Sequence, residues 1–340
     1  MLPVADLLPV ARRNVSEILR FAIAPSSPTA LLVYDRDSPL SALLSRAWRE
    51  ALPAALALDF SETLPGAVLS VAEALPAASL VVLIQSSSFQ LAAHRFRVRL
   101  FERGLAVVEH RHLARIAPAE EATYVDALAY DPLYYRGLGG ALLSRLRRAG
   151  QVRLSGEQGD LVYEGPFEDP IGNLGDYRGH ANVGGQFPIG EVFTELRDLE
   201  AVSGRVRLFA YGDPGFNVVA PDEPFLLVVE RGAVTAAAGA PAEFERILED
   251  IRAAEGKVLL RELGFGLNRA MSRNRRVTDI GAYERMCGIH VSLGAKHAMF
   301  SKPGLSRRQR KFHVDVFPDV DRVEIDAETV FSGGAYGMLS

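Results

Sequence analysis

Residues 30–52 read ALLVYDRDSPLSALLSRAWREAL. The opening ALLVYD (30–35) is an apolar run closed by a carboxylate, and Pro39 to Leu52 carry a helical pattern. The same two-part phrase recurs downstream. ALALDF (55–60), SLVVLIQ (79–85) and LAVVEH (105–110) are separated by helical stretches, one of them FQLAAHRFRVRLFERG (89–104). Apolar strands of this kind are buried on both faces, and helices of this length between them imply a parallel sheet wrapped by helices. The amino-terminal part is therefore predicted as α/β.

Working outward, Leu7, Leu8, Ala11, Val15, Ile18 and Leu19 fall on one face of a predicted amino-terminal helix. A second helical stretch, EEATYVDALAYDPLYYRGLGGALLSRLRRAG, carries the chain to Gly150. Its GLGG (137–140) lacks the preceding strand and following helix start of a dinucleotide loop, so it is not read as one. Beyond Gly150 the texture changes. QVRLSGEQGDLVYEG (151–165) predicts a hairpin with a Gly-rich turn. Short strands follow in RVRLFAYG and FLLVVERGAVTAAAG, then a helix in APAEFERILEDIRAAEG. The expected organisation is an α/β domain over 1–150 and a β-rich α+β domain over 151–340.

Composition narrows the partners. The 340 residues have a net charge of −4 and 48% hydrophobic residues, enough for a large core and with no excess of positive charge to hold nucleic acid. The basic run 306–311 is short and reads as a solvated loop. A single cysteine, Cys287, excludes an intrachain disulfide and suits the cytoplasm. The first residues lack the features of a secretory signal. No apolar stretch reaches the roughly 18 residues of a membrane span. A soluble, cytoplasmic protein is expected.

Four stretches of the second domain place ionisable groups where a core is forming. In GGQFPIGEVFTEL, Glu191 sits between Gly190 and the strand-like Val192-Phe193-Thr194. In KVLLRELGFGLN, Glu262 ends an apolar run and precedes glycines that let the backbone approach something closely. In GAYERMCGIHVSLG, Glu284 precedes His290, which lies on an alternating run. In QRKFHVDVFPDV, Phe312, Val314 and Val316 share one strand face, and His313 and Asp315 share the other. Singly, each has a plain explanation as a solvated or ion-paired residue, with Arg261 or Arg269 available to Glu262. Jointly they imply a cation site, because unpaired carboxylates are almost never buried. Glu191, Glu262, Glu284 and Asp315 sum to −4, which two divalent ions balance, with His290 and His313 as neutral ligands. Oxygen and imidazole donors without thiolate suit Zn, Mn, Co or Fe.

FPIGEVFTE, RELGFGLN, GIHVSLG and FHVDVF, in this order, resemble the thermophilic aminopeptidases of the aminopeptidase T type. VRLSGEQGDLVYEG resembles the hairpin before that family's metal domain, so the likeness covers most of 150–320. The resemblance implies a metal-dependent hydrolase that cleaves an N-terminal peptide or amide bond with a metal-activated water. It implies two ions, zinc or cobalt, on Glu191, Glu262, His290, His313 and Asp315. Glu284 is a sixth candidate, its spacing to His290 one residue longer than the family's. Glu262 or Glu284 would accept the water's proton, and His297 or His180 would steady the oxyanion. His297 stands where the family has a tyrosine. A homodimer is also implied. Dihydroxypyridine dioxygenases, relatives on the same fold, supply the alternative: one Fe(II) on two histidines and a carboxylate, with an aromatic substrate. His313 and Asp315 fit two of those ligands, Glu262 stands near the third, and His94 and His180 lie where such enzymes place substrate-contacting imidazoles. A catalytically degenerate, peptide-binding member is the third possibility.

Overall fold

The computed structural model describes residues 7–89, 96–305 and 310–337; His94 and most of the basic run 306–311 lie outside them. The chain divides into two compact units. The first takes residues 1–136, 175–189 and 277–282, and the second takes 137–174, 190–276 and 283–340. The change of texture at residue 150 coincides with the first strand of the second unit. The division itself falls at 136/137, and two short later segments return to the first unit.

In the first unit, β1 (Ala30–Tyr34), β2 (Leu56–Asp59), β3 (Leu80–Ile84) and β4 (Ala106–His110) pair in parallel, in the order β2-β1-β3-β4. Every residue of β1, β3 and β4 is buried, which is why their sequences show no polar alternation. Helices α1 (Leu8–Glu17), α2 (Pro39–Ala51), α3 (Pro65–Ala74) and α4 (Phe96–Glu102) belong to the same unit. Ser38 starts α2 with a reciprocal cap to Ser41, ahead of Pro39 at the first helical position. Leu31, Val33, Val81, Leu83 and Val107 from the strands pack with Val68, Ala72 and Leu100 from α3 and α4. A short fifth strand, Gly184–Gln186, pairs in parallel with β4. Gly184 has φ +94°, and a Cβ there would come 2.0 Å from the Val107 carbonyl oxygen, so only glycine brings this strand to the sheet.

His110 ends β4 in full burial, and its partners fix its protonation. The Trp48 indole N–H donates to Nε2 at 3.0 Å, which puts the ring proton on Nδ1. Nδ1 therefore donates to the Tyr124 hydroxyl at 3.2 Å, and that hydroxyl donates to the Phe187 carbonyl at 3.1 Å. Tyr124 lies on α5 (Glu121–Ala127), which is followed by α6 (Pro132–Leu146). Residues 137–140, the GLGG of the sequence, are interior to α6 and form no loop.

The second unit is built on antiparallel strands. Counting Gly184–Gln186 as β8, these are β5 (Gln151–Gly156), β6 (Gly159–Glu164), β7 (Ile171–Asn173), β9 (Glu191–Thr194), β10 (Val202–Gly212), β11 (Val218–Val219), β12 (Phe225–Glu230), β13 (Ala233–Ala238), β14 (Leu260–Gly266), β15 (Gly288–Leu293), β16 (Val314–Pro318), β17 (Arg322–Ile325), β18 (Glu328–Ser332) and β19 (Ala335–Tyr336). Their main order is β19-β18-β17-β5-β6-β10-β16-β15-β14-β9-β7, with β11 and the β12–β13 hairpin attached to β10. Helix α7 (Ala242–Glu255) buries Phe244, Ile247, Leu248 and Ile251, one stripe at helical spacing. Phe244 meets Tyr211 and Phe225 at ring separations of 5.0 and 4.8 Å. The expected α/β part and β-rich part are both present. Among the described residues no helix is long and apolar enough to cross a membrane.

Burial lowers the His110 pKa from the ordinary histidine value to about 3. The neutral ring is thus stabilising at and above pH 6.5, and that contribution drains away as pH falls from there towards 3. Denaturant unfolding of the wild type is expected to lose about 1.4 kcal/mol per pH unit to this group across the window. His110→Gln, less stable at neutral pH, should show a correspondingly shallower slope.

Candidate metal centre

Strands β9, β14, β15 and β16 are successive neighbours, and their register decides which side chains meet. Glu191 pairs with Gly266 and Phe193 with Gly264. Gly264 pairs in turn with His290, and Ser292 with Asp315. Directly paired residues share a sheet face, and residues two apart along a strand share it again. Glu191, His290 and Asp315 therefore project from one face. Between Leu260 and Leu263 the register with β15 shifts, so that Arg261 and Glu262 together oppose Ser292. This is a β-bulge, the usual device for re-aiming a side chain beside a site. The Glu262 amide donates to the Ser292 hydroxyl at 3.1 Å.

Glu191, Glu262 and His290 are buried, and one ligand atom from each lies within 4.8 Å of the others. His290 Nε2 stands 3.3 Å from Glu191 Oε1 and 3.1 Å from Glu262 Oε1. Burial on its own would lower the pKa of that imidazole, but the two carboxylates overcome it and raise it to about 10. For Glu262, burial pushes upward, and the bonds from His290 and His297 prevail and hold it below the ordinary carboxylate range. His290 Nδ1 has no hydrogen-bond partner among the described residues. Packing orients the ring instead. It lies over Gly264, where a Cβ would come 2.0–2.6 Å from three ring atoms.

Two further histidines extend the cluster. His297 Nδ1 accepts from the amides of Met299 and Phe300 at 3.1 and 3.2 Å, so Nε2 carries the hydrogen and donates to Glu262 Oε2 at 2.5 Å. The His313 ring lies 5.8 Å from that of His297. His313 Nδ1 donates to the Lys296 carbonyl at 3.0 Å, which leaves Nε2 facing Asp315 Oδ1, also at 3.0 Å. That contact is out of hydrogen-bonding alignment, and the oxygen has no bonded partner. Burial lowers the His313 pKa, Asp315 and Glu262 raise it, and the net result is about 9.

Glu284 stands apart from the Glu191–Glu262–His290 triad. It is ion-paired with Arg285, whose guanidinium also lies 3.6 Å from Glu191 Oε2. His180 belongs to the first unit and is exposed there, its amide bonded to the Tyr177 carbonyl.

The residues present fit a divalent ion. Ligand bonds of about 2.0–2.2 Å place neighbouring donor atoms about 3–4.4 Å apart, and the His290–Glu191 and His290–Glu262 separations of 3.3 and 3.1 Å lie in that range. The His313 Nδ1–carbonyl bond is the outer-shell support that metal-bound imidazoles normally have. An oxygen-rich donor set without thiolate favours borderline and hard cations.

No protein-family model matches the chain, and no curated protein matches it. Among solved structures, a 2,5-dihydroxypyridine dioxygenase from Pseudomonas putida KT2440 superposes with a TM-score of 0.62 at 15% identity, over 99% of this chain and 98% of its own. AmpT from Thermus thermophilus superposes with a TM-score of 0.59 at 12% identity, over 96% of this chain and 99% of its own. At these identities the likeness is one of fold, and the relationship to both is distant. Both superpositions run through both units of the chain.

Several members of the site have no signature in the sequence. The close approach allowed by the LGFG glycines turns out to be that of the His290 ring. Arg261, a possible partner for Glu262 in sequence, is fully buried against Glu195 instead, with paired contacts of 2.8 and 2.7 Å. Nothing local to either residue announces that pairing.

Gly264→Ala should displace the His290 ring while the strand pairing survives. Zinc binding followed by calorimetry is expected to weaken by about 10–100-fold, the usual size of a disturbed ligand orientation, with little change in the circular dichroism spectrum. Undiminished binding would remove His290 from the ligand set.

Proposed function

We propose that this protein is a metal-dependent hydrolase of the aminopeptidase type, acting on an N-terminal peptide or amide bond. The supporting observation is a buried set of carboxylates, Glu191, Glu262 and Asp315, on neighbouring strands with the imidazoles of His290, His297 and His313. A set so rich in negative charge suits two divalent cations of the zinc, cobalt or manganese kind, and suits a substrate carrying a free amine. When bound, such ions supply Lewis acidity and acidify water.

The chain's own residues would divide the remaining work. Glu262, held ionised by its two imidazole neighbours, is suited to hold a cation rather than to take up a proton. Glu284, less buried and bonded to no imidazole, is the proposed proton acceptor, a role that requires it to leave Arg285. His297 has its Nδ1 fixed by two backbone amides, and its Nε2–H, which holds Glu262 in this structure, is the proposed donor to the oxygen that gains charge once Glu262 turns to a cation.

The fold shared with the dioxygenase supports a second reading, in which His313 and Asp315 hold a single Fe(II) and an aromatic substrate reacts with O₂. Glu262 in place of a third neutral ligand weighs against it.

Metal content of protein purified without chelator, together with amine release from aminoacyl amides, tests the proposal. About two zinc-like ions per chain and released amino acid are expected. Glu284→Gln should lower kcat by about 10²–10⁴-fold with metal retained, and Glu262→Gln should lose metal. About one iron per chain, oxygen uptake and no hydrolysis would overturn the proposal in favour of the dioxygenase.

A further inference from the structure

The segment from Ala295 to Phe312 carries His297 near its start and leads directly into His313. Two buried side chains of opposite charge grip its backbone. Glu255, the last residue of α7, accepts the amides of Ala295 at 2.7 Å with one oxygen, and of Lys311 and Phe312 at 2.7 and 2.8 Å with the other. One carboxylate thus ties together both ends of the segment, which also meet through the Lys296 amide and the Phe312 carbonyl at 2.9 Å. Arg261 grips the carbonyls instead. Its Nη1 donates to Ala295 at 2.5 Å and its Nη2 to Phe300 at 3.1 Å, on either side of His297. Glu195 holds the same guanidinium from behind. Lys302 fastens the far side of the segment, donating to Glu168 at 2.5 Å and to the Leu196 carbonyl at 2.7 Å, with Glu195 Oε1 at 3.2 Å.

We propose that Glu255 and Arg261 are positioning residues that set the places of His297 and His313 opposite Glu262 and Asp315. Neither needs to touch a ligand. Glu255 holds the Ala295, Lys311 and Phe312 amides near the two histidines, and Arg261 sits on the bulge next to Glu262, so the two grips bear on both sides of the His297–Glu262 contact. The metal arm of this inference rests on the cation-site reading above; the positioning itself does not.

The test uses the full-length, metal-free chain. Nitrogen–proton NMR of the imidazoles in the wild type is expected to show a single Nε2–H signal for His297 and a single, hydrogen-bonded Nδ1–H signal for His313. In Glu255→Gln, which keeps side-chain size, both signals should shift and multiply as the two rings lose their single settings, while His290 stays as in the wild type. Arg261→Lys keeps the charge against Glu195 but cannot span both carbonyls, and it should disturb His297 more than His313. Circular dichroism establishes which variants fold, and if Glu255→Gln does not, Arg261→Lys decides. Unchanged His297 and His313 signals in a folded variant would overturn the proposal. Cobalt titration then separates the two readings: a wild type that binds no cobalt would sink the metal centre and leave the NMR outcome standing, whereas equal affinity in wild type and variants would sink the positioning role. The expected loss in affinity is about 10–100-fold.

Discussion

An ionised carboxylate taken out of water costs several kcal/mol unless a positive charge meets it, and this cost governs the core of the second unit. Two solutions stand within a few residues of each other. Glu195 is answered by Arg261 and Lys302, cations that are themselves bonded to backbone carbonyls. Glu191, Glu262 and Asp315 are answered by imidazoles, whose protons are exchangeable. A guanidinium makes a permanent internal pair. An imidazolium lying between two carboxylates is a cation that a metal ion can replace, since deprotonated imidazole is itself a ligand. Adjacent positions 261 and 262 thus take opposite roles, one locking structure and the other keeping charge available.

Backbone detail turns this charge balance into a shaped site. The bulge at Arg261–Glu262 sets these two neighbours on different tasks, and the missing Cβ of Gly264 makes room for the His290 ring. His297 and His313 each have one ring nitrogen committed to the backbone, so the other nitrogen is aimed at a carboxylate: Glu262 for His297 and Asp315 for His313. His110 in the first unit is neutral and fully hydrogen-bonded, buried with the Trp48 indole and the Tyr124 hydroxyl on its ring and no carboxylate bonded to it. The contrast between His110 and His290 shows that burial by itself does not decide the charge of a histidine; the partners do.

Two imidazoles and one carboxylate would balance one Fe(II) only in part, and would leave the other carboxylates to be neutralised by protons or by Arg285. Glu191 and Asp315 on one face, Glu262 re-aimed from the bulge and Glu284 paired nearby are the grounds for proposing a higher positive charge and an amine-bearing substrate. That preference comes from the residues of this chain, since the two structural likenesses point to different reactions.

The sequence by itself determined the elements. The buried parallel strands, the hairpin after Gly150, the stripe of α7 and the alternation at His313–Asp315 are all local patterns, and local patterns are written in side-chain period. It also singled out Glu191, Glu262 and His290, because ionisable residues inside apolar strands violate that period. Only the tertiary structure decided which of these groups meet. The register of β9 on β14 and of β14 on β15 brings residues 191, 262 and 290 together, and a slip of one residue would turn each to the opposite face. The pairing of Arg261 with Glu195, the grip of Glu255 on Ala295 and Phe312, and the capture of Glu284 by Arg285 depend on long-range closure or on side-chain direction, neither of which leaves a trace in spacing along the chain.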